Sequence, residues 1–187
     1  TGTTFQVEQS YIVAQMSTGL MILDQQSAHE RILYERYLKN IQTAQGASQQ
    51  CLFPATVQLN PSDYALVMDM LDELYSLGFI IEPFGKNTFL IQGVPADVTV
   101  KNEKDLFEGL VEQFKNFKNE LSLDKRENLA RSLSRRSSIK KGQKLTPQEM
   151  ENLVGQLFAC QNPNYSPAGN KTFVKLDLNS IHSFFRN

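Results

Sequence analysis

Cysteine is scarce in this chain. Of its 187 residues only Cys51 and Cys160 carry thiols, too few and too far apart for a disulfide framework, which fits a reducing, cytoplasmic setting. Long apolar runs are missing as well: stretches such as Gly19 to Leu23 and Phe79 to Ile81 fall far short of a membrane-spanning helix. No secretory leader pattern is present. Neither sign of charge dominates, because 19 Lys and Arg against 20 Asp and Glu leave a formal net charge of −1, so any nucleic-acid contact must come from a local cluster. There is no internal repeat and no low-complexity tract. These absences leave an ordinary globular composition, 41% hydrophobic and 21% charged, sufficient for a sizeable core in one or two domains. The opening Thr1-Gly2-Thr3-Thr4 has no initiator Met, and the chain is expected to be a fragment of a longer protein.

Apolar periodicity supplies the elements. Phe5 to Met16, centred on Tyr11-Ile12-Val13, reads as a strand that turns at Ser17-Thr18-Gly19 into a second strand, Leu20 to Leu23. Ser27 stands three residues before Glu30, the capping-box spacing, and Ile32, Leu33, Tyr37, Leu38 and Ile41 recur at helical period through Gln42,. After the small, polar Ala44 to Gln50, Val57 to Leu59 reads as a strand. Asn60-Pro61-Ser62-Asp63 then opens a single helix ending at Gly78. Phe79 to Phe84 and Thr88 to Gln92 form a hairpin around Gly85-Lys86-Asn87. Helices are expected over Glu103 to Lys118 and, with Leu129 and Leu133 inward, over Asp124 to Lys141. Thr146-Pro147-Gln148-Glu149 is a strong helix start. Lys171 to Leu178 reads as a last strand and Asn179 to Arg186 as a short terminal helix.

The segment Leu23-Asp24-Gln25-Gln26-Ser27-Ala28-His29-Glu30-Arg31-Ile32-Leu33-Tyr34-Glu35 resembles the signature motif of MutL C-terminal domains, Asp-Gln-His-Ala, two residues, Glu, four residues, Glu. Asp24, Gln25, Glu30 and Glu35 match it. Further resemblance follows in order: Gln49 to Pro54, a hairpin around Phe84-Gly85, Ser134-Arg135-Arg136 before Lys144-Leu145, and Ser166-Pro167-Ala168-Gly169. The resemblance implies an α+β fold of two subdomains, with a discontinuous dimerisation subdomain over 1–53 and 131–187 and an inserted external, regulatory subdomain over 54–130.

In nuclease-active members of that family, zinc or manganese is held by the motif's His, its first Glu, and the Cys and His of the last motif. Carried onto this sequence, those positions are Gln26, Glu30, Ser166 and Ala168. Imidazole and thiolate suit such ions, whereas a methyl cannot coordinate and a hydroxyl or amide is a poor replacement. The expected metal set shrinks to Asp24 and Glu30, able at best to hold a hard cation through oxygens, with His29 and Cys160 as remote substitutes. Against that stand structural roles: Glu30 capping its own helix, Asp24 ending a strand, and Glu35 in an ion pair.

Two further features have functional readings beside bland ones. Between Lys125 and Lys144 the cations Arg131, Arg135, Arg136, Lys140 and Lys141 gather where Glu127 is the one acid; this suits phosphate contact or, equally, a solvated helix face. Gln49, Leu52 and Pro54 resemble the family's sliding-clamp-binding segment, although Leu52-Phe53 would equally suit a buried start to a strand. The resemblance implies a homodimerisation scaffold without catalysis of its own. Such a dimer joins two N-terminal ATPase domains, which would carry the ATP and Mg, and couples mismatch recognition to repair factors. DNA, a sliding clamp, a mismatch-recognition protein and a helicase are the implied partners. The alternative is a latent metal-dependent endonuclease built on Asp24, Glu30 and Glu35.

Overall fold

The computed structural model describes residues 2–99, 101–120 and 124–186. In chain order the elements are β1 (Thr4–Val7), β2 (Tyr11–Met16), β3 (Gly19–Asp24), α1 (Gln25–Thr43), β4 (Ser48–Gln58), α2 (Pro61–Asp69), α3 (Leu71–Leu77), β5 (Ile80–Pro83), β6 (Thr88–Pro95), α4 (Glu103–Glu120), α5 (Lys125–Ser137), α6 (Pro147–Phe158), β7 (Phe173–Asp177) and α7 (Leu178–Ser183). The fold is α+β, with two antiparallel sheets among the described residues. The chain divides into two compact units, one made of Thr1–Glu35 with Ser138–Asn187, the other of Arg36–Ser137. These joins fall at 35/36 and 137/138, where the sequence reading has 53/54 and 130/131. Ser48, Gln49 and Gln50, which the sequence reading places in the first subdomain, pair with Pro95, Val94 and Gly93 of β6 in the second unit.

The first unit is a four-stranded sheet in the order β1-β2-β3-β7. The expected single strand Phe5 to Met16 is instead a hairpin. Glu8 and Gln9 adopt φ of 50° and 49°, and Ser10 N donates to Val7 O at 3.0 Å, so a two-residue turn with both centres left-handed folds β1 back on β2. The apolar run concealed this turn because its residues are polar without being Gly or Asn. The predicted turn at Ser17-Thr18 forms, and Gly19 is required there: its φ is +146°, and a Cβ would stand 2.1 Å from Leu176 O. Ile12, Ala14, Met21 and Leu23 point to one face, where Ala28 and Ile32 of α1 and Met150, Leu153, Val154 and Leu157 of α6 close the core. Thr146 and Glu149 form the expected capping box of α6.

The second unit is the sheet β4-β6-β5 with α2, α3, α4 and α5. Phe89, Phe107, Met70, Leu74, Leu110, Leu129 and Leu133 are almost wholly buried in it, and Tyr64 stacks on Phe89 at 4.7 Å. Two expected helices are shorter than their periodicity suggests. The Pro61 to Gly78 helix breaks at Met70 (φ −119°, ψ 20°) into α2 and α3, although Gly78 does terminate it in the left-handed conformation,. The basic helix ends at Ser137 rather than Lys141. Beyond it, within the first unit, Ile139 N donates to His29 Nδ1 at 2.8 Å, which takes that amide out of any helical ladder.

Candidate functional site

The signature motif sits where β3 runs directly into α1. Asp24, the last residue of β3, caps the helix: its Oδ1 accepts from Ser27 N at 2.9 Å, satisfying one of the orphan donors of the first turn. The cap expected of Ser27 and Glu30 is therefore made one turn earlier, and Glu30 lies inside the helix. Asp24 Oδ2 meets Lys141 Nζ at 3.1 Å, and this contact, with the charge of Asp24 and the nearby Tyr11, raises the Lys141 ammonium above its usual range.

Gln25, between these acids, organises the site in a way the sequence did not disclose. It is 0% exposed. Its Nε2 lies 2.8 Å from Gln9 O, 2.9 Å from Lys140 O and 3.0 Å from Gln143 O, while its Oε1 accepts from Gln6 Nε2 at 2.7 Å. Gln6 in turn donates to Gln143 O at 2.9 Å and accepts from Leu145 N at 3.0 Å. Two glutamines thus stitch the β1–β2 turn and the 140–145 loop to the start of α1. The detectable signal was a polar residue at an inward helix position, which marks a networked amide.

The motif's other members are likewise engaged by the protein itself. Gln26 Nε2 donates to Glu30 Oε1 at 3.0 Å, and Glu30 is buried. Arg31 Nε donates to Tyr165 O at 2.6 Å. Glu35 accepts from Gln161 N at 2.8 Å and Asn162 N at 3.1 Å and lies 3.6 Å from Arg31, so the ion pair expected of it forms beside two backbone bonds. Arg31 and Glu35, one turn apart, clasp the 161–165 loop to α1. Ser166 closes a tight turn, its Oγ accepting from Asn170 N at 3.2 Å, and the exposed Ala168 presents only a methyl. Cys160 packs beside the core and bonds Gln156 O at 3.5 Å. Among the described residues no group of three or more His, Cys, Asp or Glu is placed to hold a metal. The donor chemistry agrees: one oxygen of Asp24 caps a helix and the other holds an ammonium, Gln26 turns its N–H2 to Glu30, and His29 Nδ1 is occupied. This arrangement does not fit zinc or manganese.

In the second unit, the Gln49 to Pro54 segment lies in β4, whose register with β6 shifts between Gln50 and Ala55. The residues between them bulge, leaving Leu52 92% and Phe53 84% exposed. The buried strand start is therefore not what forms. Gln49, though exposed, is engaged through its amide, which donates to Val98 O at 2.6 Å and Pro95 O at 3.2 Å. Burial, then Glu103, raises the Cys51 thiol. The basic residues are distributed differently from the single helix expected. Arg131 places its guanidinium 4.7 Å over the Phe117 ring, Arg135 and Arg136 are exposed on the last turn of α5, and Lys140 and Lys141 belong to the other unit.

A further feature of the first unit escaped the sequence reading. Register pairs Phe5 with Val13, Val13 with Ile22, and Ile22 with Val174, so these four share the sheet face opposite the core. Phe5 is 52% and Val174 46% exposed, with Val7 beside them also open. None of the four belongs to the core cluster, although Val13, at the centre of the row, is itself buried.

Comparison with known proteins agrees with this layout. The family model described as the MutL C terminal dimerisation domain matches residues 4–145. A protein named DNA mismatch repair protein MutL from Chlorobium phaeovibrioides is 40% identical over 97% of the chain and 30% of its own length. Another so named, from Chlorobaculum tepidum, is 41% identical over 97% of the chain and 29% of its own length. The chain thus spans under a third of the curated relatives it matches. Among the described residues no helix is long and apolar enough to cross a membrane. With the motif, the fold and these matches together, the chain belongs to the MutL C-terminal dimerisation domain family of DNA mismatch repair proteins.

Proposed function

We propose that this domain is a non-catalytic, cytoplasmic homodimerisation scaffold of DNA mismatch repair, holding together two copies of a longer protein whose N-terminal ATPase domains bind ATP and Mg. The observation that carries this reading is the sheet face opposite the core, where Phe5, Val7 and Val174 are exposed around the half-buried Ile22 and the buried Val13. A contiguous apolar patch of this kind on a small unit marks an interaction surface, and its symmetric use by two copies gives an isologous pair. On this reading the signature motif serves architecture: Asp24 caps α1, Gln25 networks its start, and Arg31 and Glu35 hold the 161–165 loop. The exposed Leu52 and Phe53 on their bulge support a docking segment for a sliding clamp, with Pro54 and the hydrogen-bonded Gln49 at its base. Arg131, Arg135 and Arg136 in the second unit, and separately Lys140 and Lys141 in the first, supply weak, sequence-independent contact with DNA phosphates,. A mismatch-recognition protein and a helicase are the remaining partners of the scaffold.

Mass in solution tests the scaffold. A species of twice the chain mass is the expected result, and a monomer at micromolar concentration contradicts it. The nuclease alternative is tested by incubating the protein with supercoiled DNA and manganese: no nicking is expected, and nicking that disappears in Glu30→Ala would overturn the non-catalytic reading.

A further inference from the structure

The free edge of β7 offers a second surface, which adjoins the sheet face at Val174. Its backbone direction follows from two bonds flanking the strand. Asp24 N donates to Thr172 O at 2.9 Å, and Leu178 N donates to Thr18 O at 3.0 Å. Within β7, Val174 and Leu176 therefore turn their amides and carbonyls toward β3, and Phe173, Lys175 and Asp177 turn theirs outward, since antiparallel strands alternate in this way; just before the strand, the Thr172 amide turns instead to Asn164 O at 3.1 Å. β7 is the last strand in the order β1-β2-β3-β7. No backbone hydrogen bond from Phe173, Lys175 or Asp177 to a further strand is found among the described residues.

Beside this edge lies an open cleft of about 410 Å³ lined by Asn164, Tyr165, Lys171, Phe173, Val174 and Lys175. Two cations and no carboxylate line it. Asp177, two residues beyond Lys175, is committed to capping α7, its Oδ1 accepting from Ser180 N at 2.7 Å, which holds that carboxyl below its usual range. Tyr165 is 46% exposed. Lys175 lies back along the strand, its Nζ 5.8 Å from the Phe173 ring, so it flanks the outward backbone groups rather than crossing them.

The geometry points to a docking site for an extended acidic peptide, added to the sheet as a fifth strand along β7. An added strand gains backbone hydrogen bonds from the edge and specificity from alternate side chains. Phe173 and Lys175 share one face of β7, and Val174 and Leu176 share the other, as the alternation of a strand requires, while Lys171, bridged to Tyr165 just before the strand, lines the cleft beside Lys175. The matching peptide therefore alternates, with carboxylates over the lysines and β-branched residues beside Val174 and Leu176. Repulsion from the same lysines discriminates against basic strands.

The test uses a fluorescein-labelled peptide of about ten residues alternating Glu and Val, long enough for a typical strand, titrated with the wild-type chain and followed by anisotropy. Binding that weakens with salt is expected, together with slowed hydrogen exchange at the Phe173 and Lys175 amides. A Lys-Val version should bind on the order of tenfold more weakly. In the double variant Lys171→Glu, Lys175→Glu that preference should invert. Both lysines are exposed, and circular dichroism confirms folding of the variant. Independently of any variant, N-methylation of alternate peptide amides should abolish binding in the register that pairs them with β7. The proposal is overturned by an absence of binding, by equal binding of the acidic and basic peptides, by protection confined to residues outside β7, or by single-stranded DNA or a second copy of the chain taking the edge in preference to the peptide.

Discussion

Replacing Gln25 by Glu changes one amide to a carboxyl of the same shape at a wholly buried position. The amide nitrogen has two hydrogens for three carbonyls at 2.8–3.0 Å, so at any moment two are bonded directly and the third shares. With the bond from Gln6, three hydrogen bonds meet at this side chain. At about 0.5–1.5 kcal/mol net each, Gln25→Leu should cost on the order of 3 kcal/mol, a large fraction of the roughly 5–15 kcal/mol typical of a domain. Gln25→Glu removes the same two donors and points an anion at three carbonyl oxygens. Burial without a partner raises the folded pKa of the introduced carboxyl above its unfolded value of about 4.3. A raised folded pKa means that whatever stability the variant keeps is fully present below the unfolded value. It is lost as pH climbs toward the folded one, at about 1.4 kcal/mol per pH unit. Urea unfolding at pH 5 and pH 8 reads this directly. The expected result is Gln25→Leu nearly independent of pH relative to wild type and Gln25→Glu markedly weaker at the higher pH. If Gln25→Glu unfolds with the wild-type midpoint at both, the glutamine network does not hold the 140–145 loop.

Gly19→Ala should lose on the order of 3 kcal/mol, from strain at positive φ and a Cβ driven 2.1 Å from Leu176 O,; an unchanged urea midpoint would show that β3 and β7 do not run this close. Glu149, whose carboxyl is held low chiefly by the Thr146 backbone amide, contributes stability that is present above the ordinary glutamate value of about 4.3 and is lost as pH falls through its lower folded value. Thermal melts of wild type and Glu149→Gln should therefore converge on acidification, and a constant separation down to strongly acid pH would contradict this.

Much of the architecture was legible because it rests on local chemistry. Thr146-Pro147 with Glu149 names a helix start without tertiary help, and Gly78 names a helix end. The misreadings have physical causes of the opposite kind. Glu8 and Gln9 adopt left-handed conformations with no Gly or Asn to announce them, so a hairpin looked like one strand. Periodicity ran past Ser137 because the sequence cannot show that His29, distant along the chain, captures Ile139 N. At the signature motif, residue identities were readable and roles were not. Capping by Asp24 rather than Ser27 depends on β3 entering α1 without a loop, and the engagement of Gln25 by three carbonyls depends on where the 140–145 loop returns. The exposure of Leu52 and Phe53 required a break in register between β4 and β6 that no apolar pattern encodes. The apolar row Phe5, Val13, Ile22 and Val174 spans four strands, and only the pairing of β7 with β3 brings its last member into line.

The most direct test of the scaffold reading is sedimentation equilibrium of the wild-type chain beside Val174→Asp and Phe5→Asp, with circular dichroism confirming that each is folded. A carboxylate placed in an apolar self-complementary face is buried without a partner each time two copies meet, and twice in a symmetric pair. The account predicts a wild-type mass twice that of the chain and variants that are folded monomers. Folded variants that remain dimers would contradict the assignment of this sheet face as the dimer interface.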